Sequence, residues 1–178
     1  MCTAPQNRRQ IGNLTLGAQS PTFDNAALRA VASDWRLSGI FNAHSGNWLT
    51  VTTGRDIAGT GIAAQRVNQV KDDPYGDKSS LNNYLSAAAF AYPDPGTLGT
   101  LKNNSIEGPG FWTVDLSLSR LVSIASQHTL EFRVEVFNLF NNFNWGLPNT
   151  NLDAGTFGRI TTQTGDPRIM QFGLKYGF

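Results

Sequence analysis

Three stretches of this chain alternate apolar and polar side chains so strictly that only an extended strand satisfies them. In residues 168–178, Met170, Phe172, Leu174, Tyr176 and Phe178 are separated by Gln171, Gly173, Lys175 and Gly177, after an apolar Ile169. In residues 111–120, Trp112, Val114, Leu116 and Leu118 alternate with Thr113, Asp115, Ser117 and Ser119. In residues 129–138, Leu130, Phe132, Val134 and Val136 alternate with Thr129, Glu131, Arg133 and Glu135. Successive side chains of a strand point to opposite faces, so each run has one apolar and one polar face. A helix would scatter both sets around its axis. At about 3.3 Å per residue, and strongly tilted, such a strand also crosses the hydrocarbon core of a bilayer.

The N-terminal third is less regular. Trp35, Leu37, Gly39 and Phe41 alternate with Arg36, Ser38 and Asn42, and Leu49 and Val51 resume the odd phase beyond Ser45-Gly46. Residues 34–53 read as one long strand with a bulge near Gly46, against a competing hairpin that turns there. Residues 8–19 form a further, weakly patterned strand. Residues 24–33 read as a short helix with Asp24 as N-cap. The connections are unequal. Residues 122–128 make a short turn, whereas 54–110 and 141–167 are long, irregular and rich in Gly, Pro, Asn and Asp. Soluble domains seldom carry structureless loops of that length. Outer-membrane barrels combine short turns at one end with long loops at the other.

Alternation alone does not say which solvent meets which face. In a sandwich the apolar faces pack together; in a membrane barrel they meet lipid and the polar faces line the lumen. Three features favour the barrel. Glu131, Arg133 and Glu135, with Asp115 on the preceding strand, form a face of mixed charge suited to an enclosed, wet lumen. Aromatic residues gather near strand ends: Trp112, Phe137, Phe140, Tyr176 and Phe178. The sequence closes on Phe178 within an alternating strand, where a soluble domain would expose frayed aromatics. Composition agrees. Only 15% of the 178 residues are charged, against about a quarter in ordinary globular chains. A net charge of +1 gives no reason to expect nucleic acid. No apolar run is long enough for a membrane helix. The lone cysteine, Cys2, permits no internal disulfide, and no leader of the lipoprotein kind precedes it. An exported chain that opens at Met1 without a signal segment is expected to be incomplete at its N-terminus.

The closing segment PRIMQFGLKYGF (167–178) resembles the terminal strand of TonB-dependent outer-membrane receptors. Its alternating apolar residues and final aromatic (Phe172, Leu174, Tyr176, Phe178) look like the signal read by the barrel assembly machinery. LEFRVEVFNLFN (130–141) is similar to the penultimate strand of that family, and GPGFWTVDLSLSR (108–120) and DWRLSGIFNAHSGNWLTVTTGRD (34–56) resemble other strands. The likeness is nearest to the Oar-like branch, whose full-length members carry a carboxypeptidase-regulatory-like domain, and it covers residues 7–178. It implies a plugged barrel of about 22 strands, to which this chain gives about five. The whole of residues 1–178 is then one C-terminal barrel segment, with residues 54–110 and 141–167 outside the cell. The plug, the TonB box and the first strand of that family are not matched. TonB would act only through a plug outside this sequence, so the chain is expected to be a truncated product or fragment.

Other motifs carry less. Gly59-Thr60-Gly61-Ile62-Ala63-Ala64 fits a dinucleotide-binding pattern but lacks the required strand before it and helix after it. Asp72, Asp73 and Asp77 bear calcium-type oxygens without EF-hand spacing. His44 and His128 stand alone, and no nucleophile–base signature occurs. An enzyme, a cofactor and a metal are therefore not expected. Tyr84, Tyr92 and Trp145 in the long loops, with Phe90, Asn142 and Phe143, are candidates to touch an outside sugar or peptide, against ordinary loop packing. The expected partners are outer-membrane lipid, the assembly machinery, the remainder of a receptor chain and an unidentified bulky solute. Two rivals to a transporter wall stay open: a structural or adhesive barrel that imports nothing, and a secreted soluble β-sandwich.

Overall fold

A computed structural model describes residues 8–125 and 128–178. The expectation about Cys2, and the central residues of the expected 122–128 turn, lie outside the described residues. In chain order the elements are β1 (Ile11–Gln19), α1 (Ala26–Ala32), β2 (Trp35–His44), β3 (Trp48–Leu49), β4 (Asn68–Gln69), β5 (Phe90–Ala91), β6 (Ile106–Glu107), β7 (Phe111–Ala125), β8 (His128–Phe137) and β9 (Ile169–Gly177). They fall into two compact units. One comprises Ile11–Ala43, Trp112–Phe143 and Gly165–Phe178; the other comprises His44–Phe111 and Asn144–Thr164, with residues 8–10.

The first unit is an open sheet in the order β1-β2-β7-β8-β9. β8 lies antiparallel between β7 and β9, with Val134 opposite both Leu118 and Phe172, and Phe132 opposite Arg120 and Leu174. Ser20 at the end of β1 donates its N–H to Trp35 at the start of β2 (2.9 Å), so those strands are antiparallel too. Leu121 N–H donates to Asp34 while Gly39 lies beside Asp115 and Leu116, which fixes the same sense for β2 and β7. Four of the five expected strands are present, and the fifth, expected over residues 34–53, is cut short as β2. Their limits shift where side chains stop the ladder. β7 continues through residues 122–125, where a turn was expected, because Val122 still pairs with Leu130. β8 stops at Phe137, since Asn138 takes φ 50°. The expected helix forms, but its cap is Asn25 and not Asp24: Asn25 Oδ1 accepts from the N–H groups of Ala27 and Leu28 (2.9 and 3.3 Å).

This sheet inverts the burial of a soluble protein. Phe172 is 78% exposed, Leu174 67% and Leu16 64%, and no strand residue of the sheet belongs to the buried core. Among the described residues, Phe172, Val134 and Leu116 lie outside the buried core. Each uncovered large apolar side chain forgoes about 1.5–3 kcal/mol of transfer free energy in water.

The second unit corrects two expectations. Residues 54–110 and 141–167 are not structureless. They surround a core of Leu49, Val51, Val67, Tyr84, Leu85, Ala89, Phe90, Leu101, Ile106 and Ile160. Its ladders are only two residues long, β3 with β6 and β4 with β5, too short to leave a periodic pattern in sequence. Nor do residues 34–53 form one bulged strand, or a hairpin. β2 ends at His44, and Trp48 and Leu49 pair with Glu107 and Ile106 instead. The crossing at Gly46 explains the break. A Cβ there would stand 1.8 Å from the carbonyl oxygen of Gly108, so only glycine lets the two backbones meet.

Gly46→Ala is therefore expected to destabilise this unit by about 2 kcal/mol or more. Gly155→Ala, with nothing within 4 Å of the added methyl, should be near neutral. Limited proteolysis of residues 54–110 in both variants checks the contrast; equal cleavage rates would contradict it.

Candidate functional site

The strand register decides which side chains share a face. Alternation on β8 puts Glu131, Arg133 and Glu135 on one side, and pairing adds Ser117 and Ser119 from β7 and Gln171 and Lys175 from β9. Arg133 is the centre of this row. Its guanidinium lies 2.7 Å from Glu131 and 3.8 Å from Glu135. Half its side chain is open to solvent, so these pairs orient the row more than they stabilise it. Arg36, Ser117, Ser119, Glu131, Arg133 and Glu135 line an open groove of about 670 Å³ along the polar face, which also receives Phe137 and Ile40. The groove carries both signs of charge and some apolar wall. Such a surface can hold a large polar solute without selecting strongly for its charge.

Asp115 lines the same groove but does other work. Its carboxylate accepts from the N–H of Asn138 (2.9 Å). Asn138 is buried, and its side-chain amide donates to the carbonyls of Asn142 and Asp166 (2.9 and 3.0 Å) while its oxygen accepts from Asn142 N–H. Asp115 thus secures the point where β8 gives way to the next connection. Strand periodicity does not reveal this hub. The asparagine-rich run NLFNNFN was its only trace, because Asn tolerates positive φ and satisfies loose backbone groups at strand ends.

The other strand parity carries Leu116, Leu118, Leu130, Phe132, Val134, Met170, Phe172, Leu174 and Tyr176 on one apolar face, and Leu116 also borders the groove. Phe178 follows β9 and is 93% exposed; its ring stacks on Tyr176 at 6.0 Å. Tyr176 also meets His128, oxygen to Nδ1 at 2.5 Å, with the two rings stacked.

The aromatic candidates of the loop unit separate by burial. Tyr84 is only 5% exposed, edge-on to Tyr75 and Trp145, and its burial raises its pKa above the ordinary phenol value. A ring packed in the core has no face for an outside ligand, so Tyr84 is a packing residue. Trp145 is half-buried against that core, and Phe90 lies within it. Tyr92 is at the surface. Its hydroxyl donates to Asp153 (2.6 Å), and Arg55 lies over its ring at 5.4 Å while pairing with Asp153 at 3.1 Å. Asp153 also accepts from Gly54 N–H (2.8 Å). The dinucleotide-like glycines close a different loop: Asp56 accepts from Thr60 and Gly61 N–H, with Gly59 and Gly61 at positive φ. Asp73 and Asp77 cap their own turns at Tyr75 and Ser79.

Compared with known families, residues 2–171 match the family described as an outer membrane beta barrel domain. The chain belongs to that family. No curated protein and no solved structure matches it. Membership places this outer membrane beta barrel domain in the outer membrane, and it accounts for an all-β chain whose sheet leaves its apolar face uncovered. No helix of the described residues is long and apolar enough to cross a membrane, which is of no consequence for a protein that crosses with strands.

The Tyr92–Asp153 link predicts a pH window. The Tyr92 hydroxyl, before the Gly54 N–H and Arg55, holds the Asp153 carboxyl below its ordinary 3.8. The stability this gives is present above that value and is lost as pH falls through the lowered one. The same bond raises the Tyr92 phenol above its ordinary 10.0, so its contribution is full below 10.0 and lost as pH rises through the raised value. In a spectrophotometric titration Tyr75, Tyr84 and Tyr92 should all ionise late, and Asp153→Asn should return one of the three, Tyr92, toward the ordinary range. No difference between the two titrations would refute the link.

Proposed function

We propose that this domain is a wall segment of a TonB-dependent transporter that moves a bulky solute across the outer membrane. The observation that supports it is the division of one sheet into an uncovered apolar face and a grooved face of mixed charge. In this reading the apolar face meets lipid. Asp115, Glu131, Arg133 and Glu135 look into the lumen, where a solute moves along polar contacts that are numerous and individually weak. The resemblance of the β2, β7, β8 and β9 segments to TonB-dependent receptors, in order and spacing, supports the finer assignment. The remaining strands, the plug and the TonB contact would come from elsewhere in a receptor chain. Phe172, Leu174, Tyr176 and Phe178 are the strip presented to the barrel assembly machinery. No covalent chemistry is proposed, and no cofactor.

The packed core beneath the loop surface favours a second reading. A folded loop unit with Tyr92 and Arg55 exposed suits an adhesive barrel that grips an outside partner and imports nothing.

Two measurements bear on these readings. Phe172→Lys is expected to cost about 2–4 kcal/mol of membrane stability if its face meets lipid, whereas Gln171→Lys, one residue away on the other face, should be tolerated. Urea titration in detergent or vesicles compares them, and equal sensitivity would remove the assignment of the faces. Cells displaying the protein can then be offered labelled oligosaccharides and peptides with and without a protonophore. Uptake that the protonophore abolishes fits the transporter. Surface binding without internalisation fits the adhesive barrel.

A further inference from the structure

One charged side chain stands on the apolar face. Register places Arg120 opposite Phe132, which in turn faces Leu174. A lone cation on a lipid-facing surface needs acceptors, and Arg120 finds them in the last turn of α1. Its guanidinium donates to the carbonyls of Ser33 (3.2 Å) and Ala30, and lies over the Trp35 ring at 5.4 Å. Trp35 Nε1 donates in turn to the carbonyl of Val31 (2.8 Å). These bonds tie the helix to the apolar side of the sheet, at the edge where β1 connects to β2. The helix then presents Leu28 and Val31, three positions apart and so on one side, at 51% and 71% exposure. Arg29, its own cation, is turned back onto the carbonyls of Phe23 and Asp24, both at 2.8 Å.

We infer that α1 is seated in the lipid headgroup boundary, with Leu28 and Val31 inserted among the upper acyl segments. The inference rests on the apolar face meeting lipid and extends that surface by one helix. Continuity decides the occupant. The arginine and indole that hold α1 belong to the apolar face itself, so the bilayer that covers Phe132 and Leu174 reaches the helix next. Short helices with an apolar side lie in this boundary at a depth of about 5–10 Å, and Trp and Arg favour the same depth.

The test uses the full chain with Cys2 replaced by serine and single cysteines at Leu28, Val31 or Phe172, each carrying a polarity-sensitive fluorophore. The proteins are placed in vesicles of phosphatidylethanolamine and phosphatidylglycerol with nitroxide lipids labelled near the headgroup or deep in the chain. The expected result is a blue-shifted emission at Leu28 and Val31, quenched more by the shallow nitroxide than by the deep one, and little quenching by aqueous iodide. Quenching at Leu28 by iodide alone would overturn the inference, because the helix would then stand in water. Protection from both quenchers would overturn it equally, by showing protein over the helix. Phe172 separates the two levels. If the deep nitroxide quenches Phe172 while Leu28 fails, only the helix assignment falls; if Phe172 is not quenched, the lipid-facing sheet falls with it.

Discussion

Hydrocarbon offers no partner for a backbone N–H or C=O, so a strand in a bilayer must close its hydrogen bonds on its neighbours. This requirement orders the sheet more than any side-chain contact does. β8 satisfies it on both sides, through unbroken pairing with β9 and with β7 as far as Ser123. The register it enforces then separates the two solvents. A slip of one residue would carry Glu131, Arg133 and Glu135 together onto the apolar face. The hub at Asn138 guards against that slip, because Asp115 of β7 binds the first backbone N–H beyond β8. Arg120 shows the same economy on the other face, where a charge is kept by giving it carbonyl acceptors at the edge of the sheet.

The two units are stabilised differently. The loop unit buries aliphatic and aromatic side chains in the manner of a soluble domain, with Val51 and Val67 wholly enclosed. Its long chain segments are held by close backbone approaches, at Gly46 beside Gly108 and at Gly158 beside Leu85, rather than by long ladders. The sheet unit keeps few apolar contacts for itself and, in the proposed barrel, depends on the surrounding lipid. In that reading detergent or lipid composition acts on the sheet, while the acidity window of Asp153 belongs to the loop unit.

How much of this was legible in the sequence follows from periodicity. β7, β8 and β9 were readable because a two-residue repeat persists over a whole strand, and it also sorted Phe172 from Gln171 correctly by face. The charged row around Arg133 was readable for the same reason. The loop core was not, since Leu85, Leu101 and Ile160 come from distant segments that no repeat connects. Tyr84 and Tyr92 illustrate the gap: two tyrosines of the same long connection, one enclosed and one exposed. Burial of that kind is set by contacts between residues far apart, such as Tyr75 with Glu107. Local chemistry misled at α1, where Asp24 and Asn25 are both good caps and the backbone selects the second.

Strand parity carries the argument one step further. In an antiparallel sheet of order β1-β2-β7-β8-β9, the two edge strands run in the same direction. Each edge has an unpaired row of backbone groups that lipid would leave unsatisfied. A ring of identical copies turned about the barrel axis would set β9 against β1 in parallel, out of keeping with every other pairing in the wall. Closure by antiparallel pairs alone takes an odd number of further strands, giving the even total that single-chain bacterial barrels show. In the proposed wall, closed by antiparallel pairs, the sheet is therefore complementary to a different set of strands and not to itself.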